Sequence, residues 1–577
     1  MDPVIVVGAG PVGLTLALAL ARQEVPCVVL DETRGQDAPR AARSVVLRED
    51  TAALVERLAG APLGQAGLRW SGWRSMRRKQ VTGEVFFDET GNGAGTAAVS
   101  GARIASGARI ASGARSGAGA APGVAGNAEA AGAAPLHIAQ HVLTGALRAA
   151  VAREPLVELA TDSRLDTIEQ EPTGVTAHTR GPNGTWWRGS HLVGCDGPRS
   201  TVRKLQDIRF PGRTAVERHA VAALRTELPR PAEAFLHRLP PWRTTGPSAG
   251  EIAARPLPGG VWRLDWLLPP GKDLVTPELL VARIRETLTG WTGETSPTYE
   301  LLDTGVHTVH HRLARRWRAG RVFLAGDAAH LMGAFGTQGL DEGLRDADNL
   351  AWKLALNWHH GPHEALLDSY QSERRAAVAA RLRAADQVLP LVRGGGLRSY
   401  VPGSSRGHDA LLMDGHLGRG TLGTPGSYAG SPLAPPRFDT EAPVDTPAGA
   451  PVADVVVTAE DGSFVPLRDR LGRGALLVVL VAPGTVVWER RHWVSAGIMP
   501  RLAAAVTALP HPAELLVAES YPGAAPHTVL LVRPDGHLVT ALSGVRPADL
   551  YAAAEATLGG PLPSGTRAEA GAEAGAR

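Results

Sequence analysis

Apolar and polar positions follow rhythms that change several times along the chain, and the changes divide it. A short β-branched run, Val4 to Val7, leads into glycines, a Leu- and Ala-rich stretch from Leu14 to Arg22, and a second apolar run from Val25 to Leu30. Short apolar runs bounded by turn residues read as buried strands, and a longer run of good helix formers reads as a helix. Residues 3–34 therefore predict strand, glycine turn, helix, strand. Arginine-bearing helical segments are expected up to about Leu58. A strand at Leu136 and a helix from Val142 to Val151 resume the order. Val157 to Ala160, Val175 to Thr179 and Trp186 to His191 predict an antiparallel meander. Alternating stretches such as Ala220 to Thr226 and Val261 to Leu268 predict a second sheet within 205–315, where Phe235, Trp262, Trp266 and Arg225 fall on candidate pocket strands.

A βα unit is expected at Val322 to Leu356, followed by helices to about Val392. The Gly- and Pro-rich stretch 394–450 reads as a linker or an extended wrap. Beyond it comes a separate rhythm: strands at Leu476 to Val481 and Glu514 to Ala518, helices at Pro500 to Ala508 and Pro547 to Leu558. A hairpin is predicted across Asp535-Gly536, between His527 to Val532 and His537 to Leu542.

Between Thr90 and Ala134 the composition collapses to Gly, Ala, Ser and Arg, with Ser-Gly-Ala-Arg-Ile-Ala recurring from Ser100. Such a stretch cannot bury enough apolar surface to offset its ordering entropy and is expected to be a disordered insertion. At 577 residues the chain is long enough for two or three domains. A formal net charge of +3, with no basic stripe carrying interleaved aromatics, argues against nucleic-acid binding. Only two cysteines occur, Cys27 and Cys195, each in an apolar run, so no disulfide framework and no metal site is expected. No apolar stretch approaches the ~20 residues needed to span a bilayer. The start carries no basic segment with a cleavage site, and a cytoplasmic location is expected.

Chemistry enters at Gly8-Ala9-Gly10-Pro11-Val12-Gly13, a GxGxxG turn directly after a strand and before a helix. Gly8 allows the tight turn, Gly10 lets the backbone approach a pyrophosphate, and Gly13 lets the helix pack on the sheet. The helix start then offers free N–H groups to the anion. Asp31 ends the next strand, placed to accept from ribose hydroxyls. Its charge would repel a 2′-phosphate, so the bound dinucleotide is expected to be FAD or NAD rather than NADP. Two further runs each put an aspartate at the end of an apolar strand: Leu192-Val193-Gly194-Cys195-Asp196-Gly197 and Val322-Phe323-Leu324-Ala325-Gly326-Asp327-Ala328-Ala329-His330.

In this order and spacing the three motifs resemble those of the para-hydroxybenzoate hydroxylase class of FAD-dependent aromatic monooxygenases. The tail resembles the thioredoxin-like domain of the phenol and polyketide hydroxylases within that class. The resemblance implies an α/β fold: a Rossmann-like FAD-binding domain interleaved with an antiparallel substrate sheet, plus the thioredoxin-like domain. FAD-binding segments are expected at 1–89, 135–204 and 316–395, the insertion at 90–134 and the substrate sheet at 205–315. A linker at 396–450, a separable cysteine-free tail domain at 451–560 and a frayed end at 561–577 complete the division. Gly8, Gly10, Pro11 and Gly13 would surround the FAD pyrophosphate, with Asp31 at the ribose. Asp327, after Gly326, would hold the ribityl chain, and Asp196-Gly197 would serve both FAD and a visiting NAD(P)H. Gln140 and either Arg43 or Arg48 would sit against the flavin.

After His330 the chain departs from the pattern, with Met332-Gly333-Ala334 where the family has prolines. Gly336-Thr337-Gln338-Gly339-Leu340-Asp341 ends in aspartate where the family has asparagine. Gly336, Gly339 and Leu340 retain a backbone cradle, and Asp341 is expected to cap the helix from Glu342 to Leu356. His330 is expected to set packing at the FAD site rather than to act as an acid or base. The implied reaction is hydroxylation of an aromatic, polyketide-like small molecule, using O2 and NADPH or NADH through a flavin C4a-hydroperoxide. The resemblance names no catalytic side chain. A Baeyer–Villiger or epoxidising oxygenase, or a flavin-dependent reductase, would carry the same motifs, and a monomer or a homodimer would serve either.

Overall fold

The computed structural model describes residues 2–35, 39–87, 134–182, 184–242, 250–268, 275–333, 338–393, 404–423, 426–484, 498–509 and 511–560. The expected insertion at 90–134, all but its last residue, and the end at 561–577 lie outside the described residues.

Two sheets position the site. The first runs in the order Arg318–Ala319, Val322–Leu324, His191–Gly194, Val4–Val7, Cys27–Leu30, Val157–Ala160. Every pairing is parallel except that of the outermost Arg318–Ala319 strand. Parallel strands covered on both faces need continuous apolar sequence, and the Val-Ile-Val-Val run supplies it. Helix Pro11–Ala21 has no polar face to spare and packs Leu14, Ala17 and Leu20 into the same core as Leu344, Leu350 and Leu354 of helix Gly339–His360. Register does the functional work. Val7 stands beside both Leu30 and Gly194, and Gly194 beside Leu324. The glycine turn, Asp31, Asp196 and Asp327 each follow one of these residues, so motifs hundreds of positions apart emerge at one sheet edge.

The second sheet has eight strands in the order His330–Leu331, Glu300–Leu313, Gly212–Arg225, Val261–Leu268, Glu251–Leu257, Glu233–Arg238, Gly72–Arg77, Gln80–Phe86. Its period-two alternation separates two faces. Ala220, Ala222, Ile252, Trp262, Leu264 and Trp266 pack on Leu280, Ile284 and Leu288 of helix Pro277–Thr292. The other face carries His219, Val221, Arg263 and Asp265 toward the first sheet. Trp262 and Trp266 therefore belong to the core behind the sheet.

Several expectations change. Val157–Ala160 leaves the meander and forms the edge of the parallel sheet, because the helix Gln140–Val151 before it acts as the crossover. The meander is Arg164–Glu171, Gly174–Arg180 and Trp186–Gly189. Ser44–Leu47, expected to be helical, is a strand paired with Leu136–Ala139, as its Val45-Val46 pair favours. The strands at 72–86, placed by sequence within the 1–89 segment, hydrogen-bond into the eight-stranded sheet. Within the expected linker, helix Ser404–Leu417 packs Leu412 and Leu417 against Trp70 and Trp73.

The C-terminal sheet runs Phe464–Pro466, Val456–Ala459, Ala513–Ala518, Leu476–Val481, Thr528–Val532, Leu538–Ser543, mixed in direction and flanked by helices Met499–Thr507 and Pro547–Thr557. It meets the rest of the chain at Leu558, which packs on Trp352 and Leu356 of the long helix. Beside that contact, Arg533 donates to both oxygens of Glu373 at 2.7 and 2.9 Å, and Lys353 donates to Glu373 at 2.7 Å. No helix of the described residues is long and apolar enough to cross a membrane.

Candidate functional site

A cavity of about 580 Å³ opens between the motif edge of the parallel sheet and the polar face of the eight-stranded sheet. Gly10, Pro11, Val12, Cys195, Gly197, Pro198, Ala325, Asp327, Gly339 and Leu340 line it from the first side. Arg40, Arg43 and Gln140 line it from the connecting segments, and Val221, Arg263 and residues 305–310 from the second sheet. Gly10, Pro11, Arg43, Gln140, Gly197, Asp327, Gly339 and Leu340, eight of the fourteen FAD-site residues expected from sequence, thus face one space. Gly8, Gly13, Asp31, Asp196 and Gly326 stand just behind its wall, and Gly336 lies outside the described residues.

The glycine turn shows why it needs glycine. Gly8 has φ 106°, and a Cβ on Gly13 would stand 2.0 Å from the Gly8 carbonyl oxygen. Either change would prise the turn from the helix. A Cβ on Gly10 would meet nothing within 4 Å, so its backbone is bare to the cavity. Asp31 accepts from the Ala9 N–H at 2.6 Å and from the Thr33 N–H at 2.8 Å, tying the second strand to the turn. Asp196 accepts from the Thr201 and Val202 N–H groups at 2.6 and 3.0 Å through Oδ2, at the start of the short helix Thr201–Leu205 that Ser200 caps. Its Oδ1 is buried and finds no partner among the described residues.

The turn carrying Asp327 is pinned from below. The Gly326 N–H donates to Asp346 Oδ2 at 3.0 Å, and His330 Nε2 donates to the same oxygen at 2.8 Å. Arg374 Nε donates to the other oxygen at 2.8 Å. His330 also stacks on Trp317, with ring centroids 5.3 Å apart. This anchoring leaves Asp327 itself exposed to the cavity. The surrounding walls push its carboxyl above the ordinary carboxylate range, while His330 and Arg43 pull it back.

The two candidate arginines part company. Arg43 lines the cavity and donates from Nε to Gln140 Oε1 at 2.9 Å. Arg48 is buried and donates to Asp341 Oδ2 at 3.1 Å. Asp341 therefore does not cap the long helix, which starts at Gly339 with Gln338 before it. Its carboxylate also accepts from Thr51 Oγ1 at 2.5 Å, so a charge that would otherwise face the cavity is neutralised behind it.

Sequence reasoning missed the far wall. Asp265 Oδ1 accepts from His219 Nδ1 at 2.6 Å, Arg263 donates to Oδ2 at 3.3 Å, and Arg255 lies 3.6 Å from that oxygen. His307, which lines the cavity, stacks on His219 with ring centroids 5.2 Å apart and planes 9° from parallel. Arg263 and Asp265 alternate with apolar neighbours in Val261–Leu268, and that alternation was the available signal. Among the described residues His219, Asp265 and His307 are the only trio with reach for a metal ion. Two arginines already hold the carboxylate, and stacked rings aim their nitrogens side by side, so the set suits a cation poorly.

Comparison with known proteins agrees with this geometry. The profile of the FAD binding domain family matches residues 1–385. The chain belongs to the FAD binding domain family. FAD is accordingly the cofactor of this fold, and the residues present fit it: a bare Gly10 backbone, a helix start aimed at the cavity and an orphaned Asp196 oxygen beside them. A 3-(3-hydroxy-phenyl)propionate/3-hydroxycinnamic acid hydroxylase of Paraburkholderia xenovorans (strain LB400) is 33% identical over 267 residues, 45% of this chain and 40% of that one. Its namesake from Mycobacterium sp. (strain JLS) is 28% identical over 390 residues, 66% and 58% of the two chains. The matched stretch thus spans about 40 to 58% of these relatives' length. Among solved structures, aklavinone-11 hydroxylase with FAD and aklavinone aligns at TM-score 0.67 and 21% identity, over 96% of this chain and 99% of that one. Anhydrotetracycline hydroxylase from Streptomyces rimosus aligns at 0.62 and 24%, over 97% and 100%. This member of the FAD binding domain family shares their fold across nearly its whole described length.

Proposed function

We propose that the protein is an FAD-dependent monooxygenase that uses NADPH or NADH and O2 to hydroxylate an aromatic small molecule of phenol or polyketide type, in the cytoplasm. The observation that carries the reading is the single cavity shared by the dinucleotide motifs and the polar face of the eight-stranded sheet. A flavin held along one wall leaves the other wall for a substrate. The relatives named as hydroxylases and the two solved hydroxylases of the same fold support the same chemistry.

In this reading Gly8, Gly10, Pro11 and Gly13 hold the pyrophosphate, Asp31 holds the ribose, and Asp196-Gly197 serves both FAD and a visiting NAD(P)H. Gly326-Asp327 takes the ribityl chain. Gln140 and Arg43, already hydrogen-bonded to each other, brace the flavin side, and Gly339-Leu340 present the start of the long helix. That helix start favours negative charge on the flavin through its unpaired N–H groups. FAD supplies the redox and oxygen-transfer chemistry when bound. The protein supplies position, field and exclusion of water.

The test is oxygen uptake by the FAD-loaded protein with NADPH or NADH and a panel of hydroxylated aromatics. The reading expects uptake stimulated by at least one of them, with a product heavier by one oxygen atom. Nicotinamide oxidation without any oxygenated product would favour a reductase instead.

A further inference from the structure

A second cavity, of about 300 Å³, lies where the C-terminal domain meets the helices behind the parallel sheet. Helix Glu49–Ala59 and residues 345–349 of the long helix form one side. Val452, Leu467, Leu471 and the hairpin turn Asp535-Gly536-His537 form the other. It shares no lining residue with the cavity that gathers the dinucleotide motifs. Four of the five carboxylates on its walls are already held by arginines. Glu49 and Asp454 pair with Arg468 at 2.8 and 2.7 Å, Asp50 with Arg345 at 2.7 Å, and Asp535 with Arg533 at 2.6 Å. The fifth, Asp348, is half-buried on the long helix and makes no hydrogen bond or ion pair among the described residues. Arg57, the cation whose field reaches it most strongly, donates instead to the Arg468 carbonyl at 2.9 Å.

The next residue supplies a second unmet acceptor. Asn349 Nδ2 donates to Glu373 at 2.9 Å and to Asp535 at 3.0 Å, which engages both its hydrogens and fixes the amide. Turning the amide over would set Oδ1 against two carboxylates. As it stands, Oδ1 is buried and has no partner among the described residues. Asn349 is 1% exposed and lines the cavity. Leu54, Val452, Leu467 and Leu471 surround the two acceptors with apolar wall.

We propose that this cavity binds a small organic amine in its protonated form. The ammonium rests on Asp348 beside Asn349 Oδ1, and an alkyl body lies against Leu54, Val452, Leu467 and Leu471. The site does not rest on the monooxygenase reading. Burial pushes the Asp348 carboxyl up to about 7 against the pull of Arg57, with Asp535 and Asp50 adding to the push. A carboxylate desolvated in this way gains from a cation that reaches it, and an unpaired buried acceptor gains from an N–H donor. A metal ion suits the place less well than an amine. Among the described residues no three acidic, His or Cys side chains here stand close enough to share one. The apolar walls, by contrast, match a hydrocarbon body.

The probe is n-hexylamine, titrated by calorimetry into the full chain carrying FAD, beside 1-hexanol and hexanoate as neutral and anionic counterparts. The titration is run at about pH 8, where the amine is charged and Asp348 is largely ionised. One hexylammonium per chain is expected, bound at least about tenfold more tightly than hexanol or hexanoate. Asp348→Asn keeps the size of the side chain and removes its charge. It should weaken hexylammonium binding by about tenfold or more with FAD content unchanged. The proposal is overturned if the wild type shows no saturable binding of hexylammonium, or if hexanol or hexanoate binds as tightly. It is overturned equally if Asp348→Asn keeps the full affinity. The comparison of the three probes on the wild type needs no variant to fold.

Discussion

Two clusters of buried charge lie on either side of the Gly326-Asp327 turn, and they are finished to different degrees. Beneath the C-terminal domain, Glu373 accepts from Lys353, Asn349, Ser431 and both terminal nitrogens of Arg533. Asp535 accepts from Arg533 at 2.6 Å and from Asn349 at 3.0 Å. Arg374, next in sequence to Glu373, joins Asp346, Glu342 and Tyr428. In this group only Oδ1 of Asn349 goes without a described partner. At the cavity wall the carboxylate of Asp265 is likewise surrounded, yet His219 Nε2 and Arg263 Nε are left over. Saturated networks specify structure, while unmet hydrogen-bonding capacity beside a cavity awaits a ligand. The first cluster fastens the C-terminal domain to the helices under Asp327, and the second faces whatever binds opposite the flavin.

Breaking the saturated cluster should have the largest effect. Glu373→Ala strands Lys353 without its carboxylate and leaves Arg533 with Asp535 alone, and should cost about 3–5 kcal/mol in equilibrium denaturation. A loss below about 1 kcal/mol would mean that the two domains are not clamped there.

Acid should sharpen the contrast from the other side. His137 links to the cavity wall, accepting from Ser44 Oγ through Nε2 at 2.7 Å and donating from Nδ1 to the Pro256 carbonyl at 2.8 Å. Burial holds this imidazole down to about 3, against 6.5 when unfolded. Its pKa is lowered in the fold, so its contribution is fully present above about 6.5 and is lost as pH falls toward 3. Between pH 7 and pH 5 it should account for about 2 kcal/mol of lost stability, and His137→Asn should flatten the profile by that amount. An unchanged slope would show that His137 already charges in the fold.

The smallest effect is expected at the rim of the same domain contact. Arg468 pairs with Glu49 at 2.8 Å, both partly exposed, and such pairs contribute about 0.2–1 kcal/mol. Arg468→Ala should therefore barely move the denaturation midpoint, and a large shift would relocate the clamp from Glu373 to the surface.

Sequence exposed one wall of the cavity and hid the other for a physical reason. The glycine turn, Asp31, Asp196 and Asp327 are local strand-end signatures, and parallel pairing brings them together without further information. The opposite wall draws on positions 219, 265 and 307, united only by antiparallel register. Asp341 read as a helix cap because its partner Arg48 lies 293 positions away. The contact between the tail and the long helices was hidden in the same way. Arg533 and Asp535 look like an ordinary hairpin turn until Glu373, 160 positions earlier, is placed against them.

The most direct measurement is an equilibrium titration of the flavin-free protein with FAD, followed by flavin fluorescence, for the wild type and for Asp327→Ala. The account predicts saturation at one FAD per chain. It further predicts that Asp327→Ala binds roughly ten- to a hundredfold more weakly, the loss of about 1–3 kcal/mol expected for a charged hydrogen-bonding group. Absence of saturable binding in the wild type, or an unchanged affinity in the variant, would contradict the placement of the flavin against the Gly326-Asp327 turn.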